Sequence, residues 1–490
     1  MSTLAWPIAC ATAIAFFLSA APAARADTPA AACRLRGVEP EALCGSVTRP
    51  LDPARPAGPR VEVHYAVLPA LARNKKPDPM FFFAGGPGQS AIGIAPQVAA
   101  MLARFSNRRD IVLVDQRGSG RSAPLLCDAD DPARPLAEQF DLARQRERLL
   151  ACVARLQTLP HGDLRFYTTT IAMADADAVR AALGAERINL VGASYGTRAV
   201  LEYQRQFPQR VRRAVIDGVA PPDMVLPRSF SADNQAALDA LLAACAAERA
   251  CAAREPQLVQ RWHALLASPP RSVTVMHPVT GRAERVELTR EVVLAMVRGP
   301  LYVPALAAAL PSALGEATRG RFEPLAALAT AFGGRRRDPQ LSAGMHFAVV
   351  CAEDMPRLES TGGEVPGADF GSSFTDLYRE VCPRLPRADV PAAFYTVLPA
   401  PAATLVLSGG LDPATPPRHG ERVAKALGAK ARHVVVPQAG HGVMGLGCMR
   451  DVLFRFVDAS GDEQALQVDA SCAAGIPRPP MFMAPWEGAK

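Results

Sequence analysis

Short, wholly apolar runs punctuate the first half and the last fifth of the chain. Met80-Phe81-Phe82-Phe83, Ile111-Val112-Leu113-Val114 and Thr404-Leu405-Val406-Leu407-Ser408 are uninterrupted or nearly so, as is Ile188 to Val191. Continuous apolarity over so few residues predicts strands buried on both faces, the pattern of a parallel sheet. Arg213 to Gly218 and Arg432 to Val436 read as further sheet strands, and Arg60 to Leu68 alternates in character, as a half-buried strand does. Helical periodicity covers 135–158, 170–184 and roughly 447–459. From about 222 to 396 the texture changes to Ala/Leu-rich helical runs, such as Ala236 to Ala247 and Leu301 to Leu310, separated by prolines. A polar strand pair is expected at 271–289, turning around Thr280-Gly281. Strands alternating with helices predict an α/β fold with a mostly parallel central sheet flanked by helices. The core is expected at 27–221 and 397–490, with a large, mainly helical lid inserted at 222–396. Residues 27–50 are Ala-rich and read as irregular.

The chain has 490 residues, a hydrophobic fraction of 49% and a formal charge of +7. These values fit a globular protein with a sizeable core. The charge is mild for the length, and Arg335-Arg336-Arg337 is its only short basic cluster, expected in a solvated loop. No basic face with aromatic platforms suggests a nucleic-acid partner. The apolar run Ile8 to Ala21, followed by Ala24-Arg25-Ala26, reads as a secretory signal peptide over 1–26, although Met1-Ser2-Thr3 brings no Lys or Arg. The run is shorter than the ~20 residues of a spanning helix, so no membrane association is expected after cleavage. Of 11 cysteines, Cys10 lies in the leader, which leaves 11 − 1 = 10. An even number in an exported chain predicts disulfides. Near-neighbour pairing predicts 33–44, 127–152, 245–251, 351–382 and 448–472. No metal-ligand spacing is present, and no cofactor is expected.

The chemistry gathers around Gly192-Ala193-Ser194-Tyr195-Gly196, between a strand and a helix. This is the layout of a nucleophile elbow, which lifts a serine hydroxyl out of a sheet at a helix N-terminus. Two later strands lead to Gly409-Gly410-Leu411-Asp412-Pro413 and to Ala439-Gly440-His441-Gly442. Ser194, Asp412 and His441 thus occur in the Ser…Asp…His order of the α/β-hydrolase fold, each just past the C-terminal end of a strand. Ser194 would attack a carbonyl, His441 would take and return the proton, and Asp412 would fix the imidazole tautomer. Asp217, after the strand that follows the elbow helix, is the rival acid. Ala84-Gly85-Gly86-Pro87-Gly88 lacks the Lys-Ser/Thr of a phosphate loop, and its bare backbone suits an oxyanion hole built from the N–H groups of Gly86 and Tyr195. Gly118 to Ala123 matches Gly-x-Gly-x-x-Ala, but Pro124 interrupts and no helix opens there. Asp115 and Arg117 are expected either to pair with each other or to hold the adjoining glycine-rich loop. His277 and His346, in the lid, are expected to be satisfied locally.

Gly85-Gly86-Pro87-Gly88, Asp115-Gln116-Arg117-Gly118-Ser119-Gly120, the elbow, Asp412-Pro413-x-Thr415-Pro416 and Gly440-His441-Gly442 together resemble the proline iminopeptidase and tripeptidyl aminopeptidase branch of the α/β-hydrolases. The resemblance covers about 55–221 and 397–460. Ala84 stands where proline iminopeptidases usually carry His, and Ala193 where Gly is frequent. The leader and the cysteines imply export, to a periplasm or out of the cell; the resemblance implies a serine exopeptidase acting on peptides with a free N-terminus and releasing an amino acid such as proline or a short peptide such as a tripeptide. Such an enzyme must recognise an ammonium, for which Glu353 or Asp354 in the lid is the candidate carboxylate. The alternative is a carboxylesterase or lipase, because a triad does not choose between ester and amide. The oligomeric state is left open.

Overall fold

The computed structural model describes residues 27–483, apart from 129–130 and 335–340. The leader and the Arg335–Arg337 cluster lie outside the described residues. Eleven strands are described: β1 (Thr28–Cys33), β2 (Ala42–Pro50), β3 (Arg60–Leu68), β4 (Met80–Phe83), β5 (Ile111–Val114), β6 (Ile188–Ala193), β7 (Val211–Asp217), β8 (Arg271–Met276), β9 (Ala283–Leu288), β10 (Thr404–Gly409) and β11 (Ala431–Val436). Nine form one sheet in the order β1-β2-β3-β5-β4-β6-β7-β10-β11, and β8 and β9 pair as a separate antiparallel hairpin. From β5 to β11 every neighbour in the large sheet is parallel, whereas β1, β2 and β3 run antiparallel to theirs.

The apolar runs become central strands because both of their faces are covered. Phe82, Leu113, Val191, Val215, Leu405 and Leu407 point to one side, where they meet Val452, Leu453 and Phe456 of the helix Met449–Asp458. Phe81, Phe83, Val112, Leu190, Ile216 and Val406 point to the other. There they meet Met173 and Val179 of α1 (Thr169–Ala182) and Val200 and Tyr203 of α2 (Tyr195–Gln206). Adjacent residues of one strand thus feed two separate cores, as the period of two requires.

Residues 27–50 depart from the irregular chain expected of them: they build β1 and β2 at the antiparallel edge. The edge has one solvated side, so its strands lack the apolar continuity of the central ones. The helical stretch 135–158 is also broken, into Leu136–Gln139 and Leu142–Leu156, with Asp141 capping the second piece by accepting from Arg144 N. The run Leu301 to Leu310 divides among three helices, two of which begin at Pro304 and Leu310-Pro311. Proline is tolerated in a first turn and unfavourable further in.

Between β7 and β10 the chain is mainly helical and has a core of its own, with Trp262, Val297, Leu314 and Phe322 fully buried. Trp262 Nε1 donates to Asp369 Oδ2 within it at 3.0 Å. Two segments from outside this insertion complete that core: Leu136, and Met481 of the C-terminal tail. The tail is fixed further where Phe482 N donates to Ala308 O at 2.9 Å.

All five expected disulfides are formed: Cys33–Cys44, Cys127–Cys152, Cys245–Cys251, Cys351–Cys382 and Cys448–Cys472. The last spans 24 residues and anchors the base of the tail. Closing a loop of that size removes entropy from the unfolded chain worth roughly 2–4 kcal/mol. Replacing Cys448 and Cys472 together by Ser is therefore expected to lower unfolding stability by about that amount. Chemical denaturation read by fluorescence checks it, and an unchanged midpoint would contradict the assignment.

Candidate active site

Ser194 follows β6 directly and caps α2 with φ 56° and ψ −125°. A positive φ costs a non-glycine residue roughly 1–3 kcal/mol, and the packing around the turn enforces it. A Cβ on Gly192 would stand 2.3 Å from Gly196 O, and one on Gly196 would stand 2.1 Å from Phe83 O. The strand, the helix and the start of the glycine-rich loop therefore touch backbone to backbone, which only glycine permits. Ser194 N donates to Asp217 O at 2.8 Å, and Ser194 O accepts from Thr197 N and Thr197 Oγ1.

Asp412 lies three residues past β10. Its Oδ1 accepts from the N–H groups of Ala414 and Thr415 at 2.8 and 2.9 Å, closing the turn. Its Oδ2 accepts from Thr415 Oγ1 at 2.8 Å and lies 2.8 Å from His441 Nδ1. One carboxylate thus forms the turn and holds the imidazole, one oxygen for each task. The acid and histidine loops are themselves in backbone contact, for a Cβ on Gly409 would stand 1.9 Å from Gly440 O. Thr415 joins them too: its Oγ1 is 3.2 Å from His441 Nδ1. Sequence reading placed Thr415 in the acid-loop motif but gave it no role, although its place three residues after Asp412 marks an Asx turn. Tyr302, from the insertion, presents its ring edge-on to His441 with centroids 5.5 Å apart.

The electrostatics of this pair match a general base and its supporting acid. Burial pushes Asp412 up, but the charge and hydrogen bond of His441 and the N–H groups of Thr415 and Ala414 outweigh it and leave the carboxyl below its ordinary value. Burial pushes His441 down, and the charge and hydrogen bond of Asp412, with a contribution from Asp217, outweigh it and leave the imidazole above its ordinary value of 6.5.

Asp217 is the last residue of β7 and does not pair with His441. Its Oδ2 accepts instead from Val443 N and Met444 N at 2.7 and 2.8 Å. Asp115 and Arg117 do not pair with each other. Asp115 accepts from Ser90 Oγ, Ile92 N and Arg121 N, and so ties the chain just beyond the glycine-rich loop to β5. Arg117 pairs with Asp175 of α1 at 2.7 Å. In the glycine-rich loop Gly86 has φ +110°, and the Gly86–Pro87 bond is cis. Tyr195 is the first residue of α2, so its N–H has no acceptor within that helix. Tyr195 follows Ser194 directly, and Gly85, the residue before Gly86, lies against it: a Cβ on Gly85 would stand 3.0 Å from Ser194 Cβ. Of the insertion's histidines, His277 accepts from Val279 N and Thr280 N, and His346 Nε2 lies 2.9 Å from Tyr378 Oη.

Glu353 and Asp354 are sealed from solvent and from a substrate ammonium. They end the insertion helix α3 (Ala343–Glu353) with no exposed surface. Arg198 of α2, also fully buried, lies between them. Its Nη1 is 3.2 Å from Glu353 Oε2 and 3.1 Å from Asp354 Oδ2, and its Nη2 is 3.0 Å from Asp354 Oδ1. Glu353 also accepts from Thr169 N and Thr169 Oγ1, and Asp354 from Leu226 N. Every carboxylate oxygen is engaged, so none is left to face an ammonium. Burial pushes Glu353 up to about 7, against the charge of Arg198 and the N–H of Thr169. The network continues through Thr169 Oγ1, 2.7 Å from Tyr195 Oη, to the residue beside Ser194. Arg198 is the partner that sequence reading missed, since 155 residues separate it from Glu353.

The chain matches two family profiles: one described as alpha/beta hydrolase fold over residues 78–278, and one described as TAP-like protein over 368–472. It is 30% identical over 434 residues to Carboxylesterase B of Mycobacterium tuberculosis, covering 79% of this chain and 78% of that one. It is 28% identical over 416 residues to Serine protease Hip1 of Mycobacterium tuberculosis, covering 79% of each. Tripeptidyl aminopeptidase of Streptomyces coelicolor is 33% identical over 223 residues, 42% of this chain and 40% of the other. Among solved structures, a proline iminopeptidase from Mycobacterium smegmatis aligns with a TM-score of 0.36 and 17% identity over 86% of this chain and all of that one. That last likeness is too loose to carry an inference.

Two outcomes follow from the geometry. Arg198→Ala leaves two sealed carboxylates facing each other, which is expected to cost about 3–5 kcal/mol in thermal or denaturant unfolding. A general base at His441 would have to be neutral to work, and the imidazole's pKa is raised. Activity is therefore expected to fall on acidification with a midpoint above 6.5, read from the acid limb of kcat/KM against pH. A midpoint below 6.5 would contradict the Asp412–His441 assignment.

Proposed function

The chain belongs to the α/β-hydrolase family and is a serine hydrolase, and on that premise we propose that it is an exported exopeptidase that cleaves peptides near a free N-terminus. Ser194 Oγ attacks the scissile carbonyl as His441 removes its proton. Asp412 steadies the imidazolium, and the N–H groups of Gly86 and Tyr195 receive the developing oxyanion. His441 then returns the proton to the leaving amine, and water releases the acyl group by the same steps.

The observation that carries this reading is the attachment of the insertion on both sides of the candidate triad. On one side Ser342 N donates to Gly88 O at 2.9 Å, within the glycine-rich loop. On the other Tyr302 abuts His441. An insertion attached on both sides of the site favours trimming a terminus over internal cleavage. The relatives named tripeptidyl aminopeptidase and serine protease support the peptide substrate. The five disulfides support an oxidising compartment, and with it export. The relative named Carboxylesterase B, which aligns with most of the chain, favours a second reading, a carboxylesterase of the same fold.

Matched chromogenic peptide amides with free and acetylated N-termini, run beside short-chain p-nitrophenyl esters, separate the two. The exopeptidase reading expects free termini to be cleaved at least tenfold faster than acetylated ones. Equal rates, or turnover of the esters alone, would favour the esterase. Under either reading Ser194→Ala is expected to lower kcat by about 10⁴–10⁶-fold.

A further inference from the structure

Asp217 is buried beside the candidate triad and belongs to none of its three roles. Its backbone and side chain nevertheless hold both halves of the site. Its C=O accepts from Ser194 N at 2.8 Å, which fixes the nucleophile's turn to β7. Its Oδ2 accepts from Val443 N and Met444 N, which fixes the loop that begins at His441. The next residue, Gly218, has φ +67° and runs against the imidazole: a Cβ there would stand 3.2 Å from His441 Cε1 and 3.1 Å from Thr415 Oγ1. Among the described residues the second carboxylate oxygen, Oδ1, is buried with no hydrogen-bond partner. A buried polar atom left without a partner costs about 1–3 kcal/mol, so a purely structural link would do better with a group lacking it.

We propose that Asp217 is a positioning residue of the catalytic machinery, setting the distance between the nucleophile's strand and the histidine loop and lending negative charge to the imidazolium. It acts through His441 and touches no reacting atom. Two titratable groups face it. His441 draws its carboxyl down and Asp412 pushes it up, while burial dominates and raises it to about 6 against the N–H groups of Met444 and Val443. In return its charge raises His441.

The test uses a fluorophosphonate, which reacts with an activated serine whether the natural substrate is a peptide or an ester. Failure of the exopeptidase reading therefore leaves it intact. Asp217→Asn keeps an oxygen to accept from Val443 and Met444 but removes the charge. Asp217→Ala removes both. The maximal inactivation rate, kinact, is expected to fall about 10–100-fold in the Ala variant with KI within threefold of the parent. The Asn variant is expected to recover most of that rate at high pH, with its acid limb displaced to lower pH. The proposal is overturned if the folded Ala variant keeps kinact within twofold, or if it loses rate only through KI. Should the Ala variant fail to fold, the Asn variant decides: an acid limb coincident with that of the parent overturns the proposal.

Discussion

A guanidinium with no exposed surface, one turn past Ser194 on the same helix, sets the terms for the rest of the molecule. Arg198 is worth burying only with anions on it, and both of its carboxylate partners come from the insertion. Desolvating three charges is expensive, and the return depends on every oxygen finding a donor. Thr169, Leu226 and the arginine supply those donors. The inserted domain is thus fastened to the helix that Ser194 caps by charge as well as by apolar packing. Cys351, two residues before Glu353, is bridged to Cys382, which limits how far that end of α3 can move.

Much of the sheet could be read from apolar continuity, because a strand covered on both faces has no polar position to obscure its pattern. Residues 80–83 and 111–114 are of this kind, and they are β4 and β5. The antiparallel edge escaped that reading for the same reason inverted. β1 and β2 are partly solvated, and their register depends on pairing with each other and, for β2, with β3 rather than on local composition. Helix ends were blurred where a proline or a capping Asp141 cut a periodic run.

The candidate site divides in the same way. Ser194, Asp412 and His441 stand out in sequence because glycines mark each loop; at Gly192, Gly196, Gly409 and Gly410 a side chain would strike backbone, and Gly442 has φ +88°. Partnership across the chain was not legible. Glu353 and Asp354 look like a charged helix end until Arg198 is placed between them. Asp217 looks like a competing triad acid until its carboxylate is seen to bind the backbone of the histidine loop. In both cases the residue type was informative and its contacts, set by folding over more than 100 residues, were not.

The core of the insertion is closed by Leu136 and by Met481, one far ahead of the inserted segment and one near the end of the chain. The inserted unit is therefore not contained in a single stretch of sequence. Exchanging it between relatives to graft a new selectivity would need three exchanges at once: the segment between β7 and β10, the short helix at 136–139 and the tail around 481. A chimera that moves only the middle piece would set a foreign core against native plugs. In an evolving lineage these three regions would have to change in concert, while the parallel strands beneath stay free to hold still.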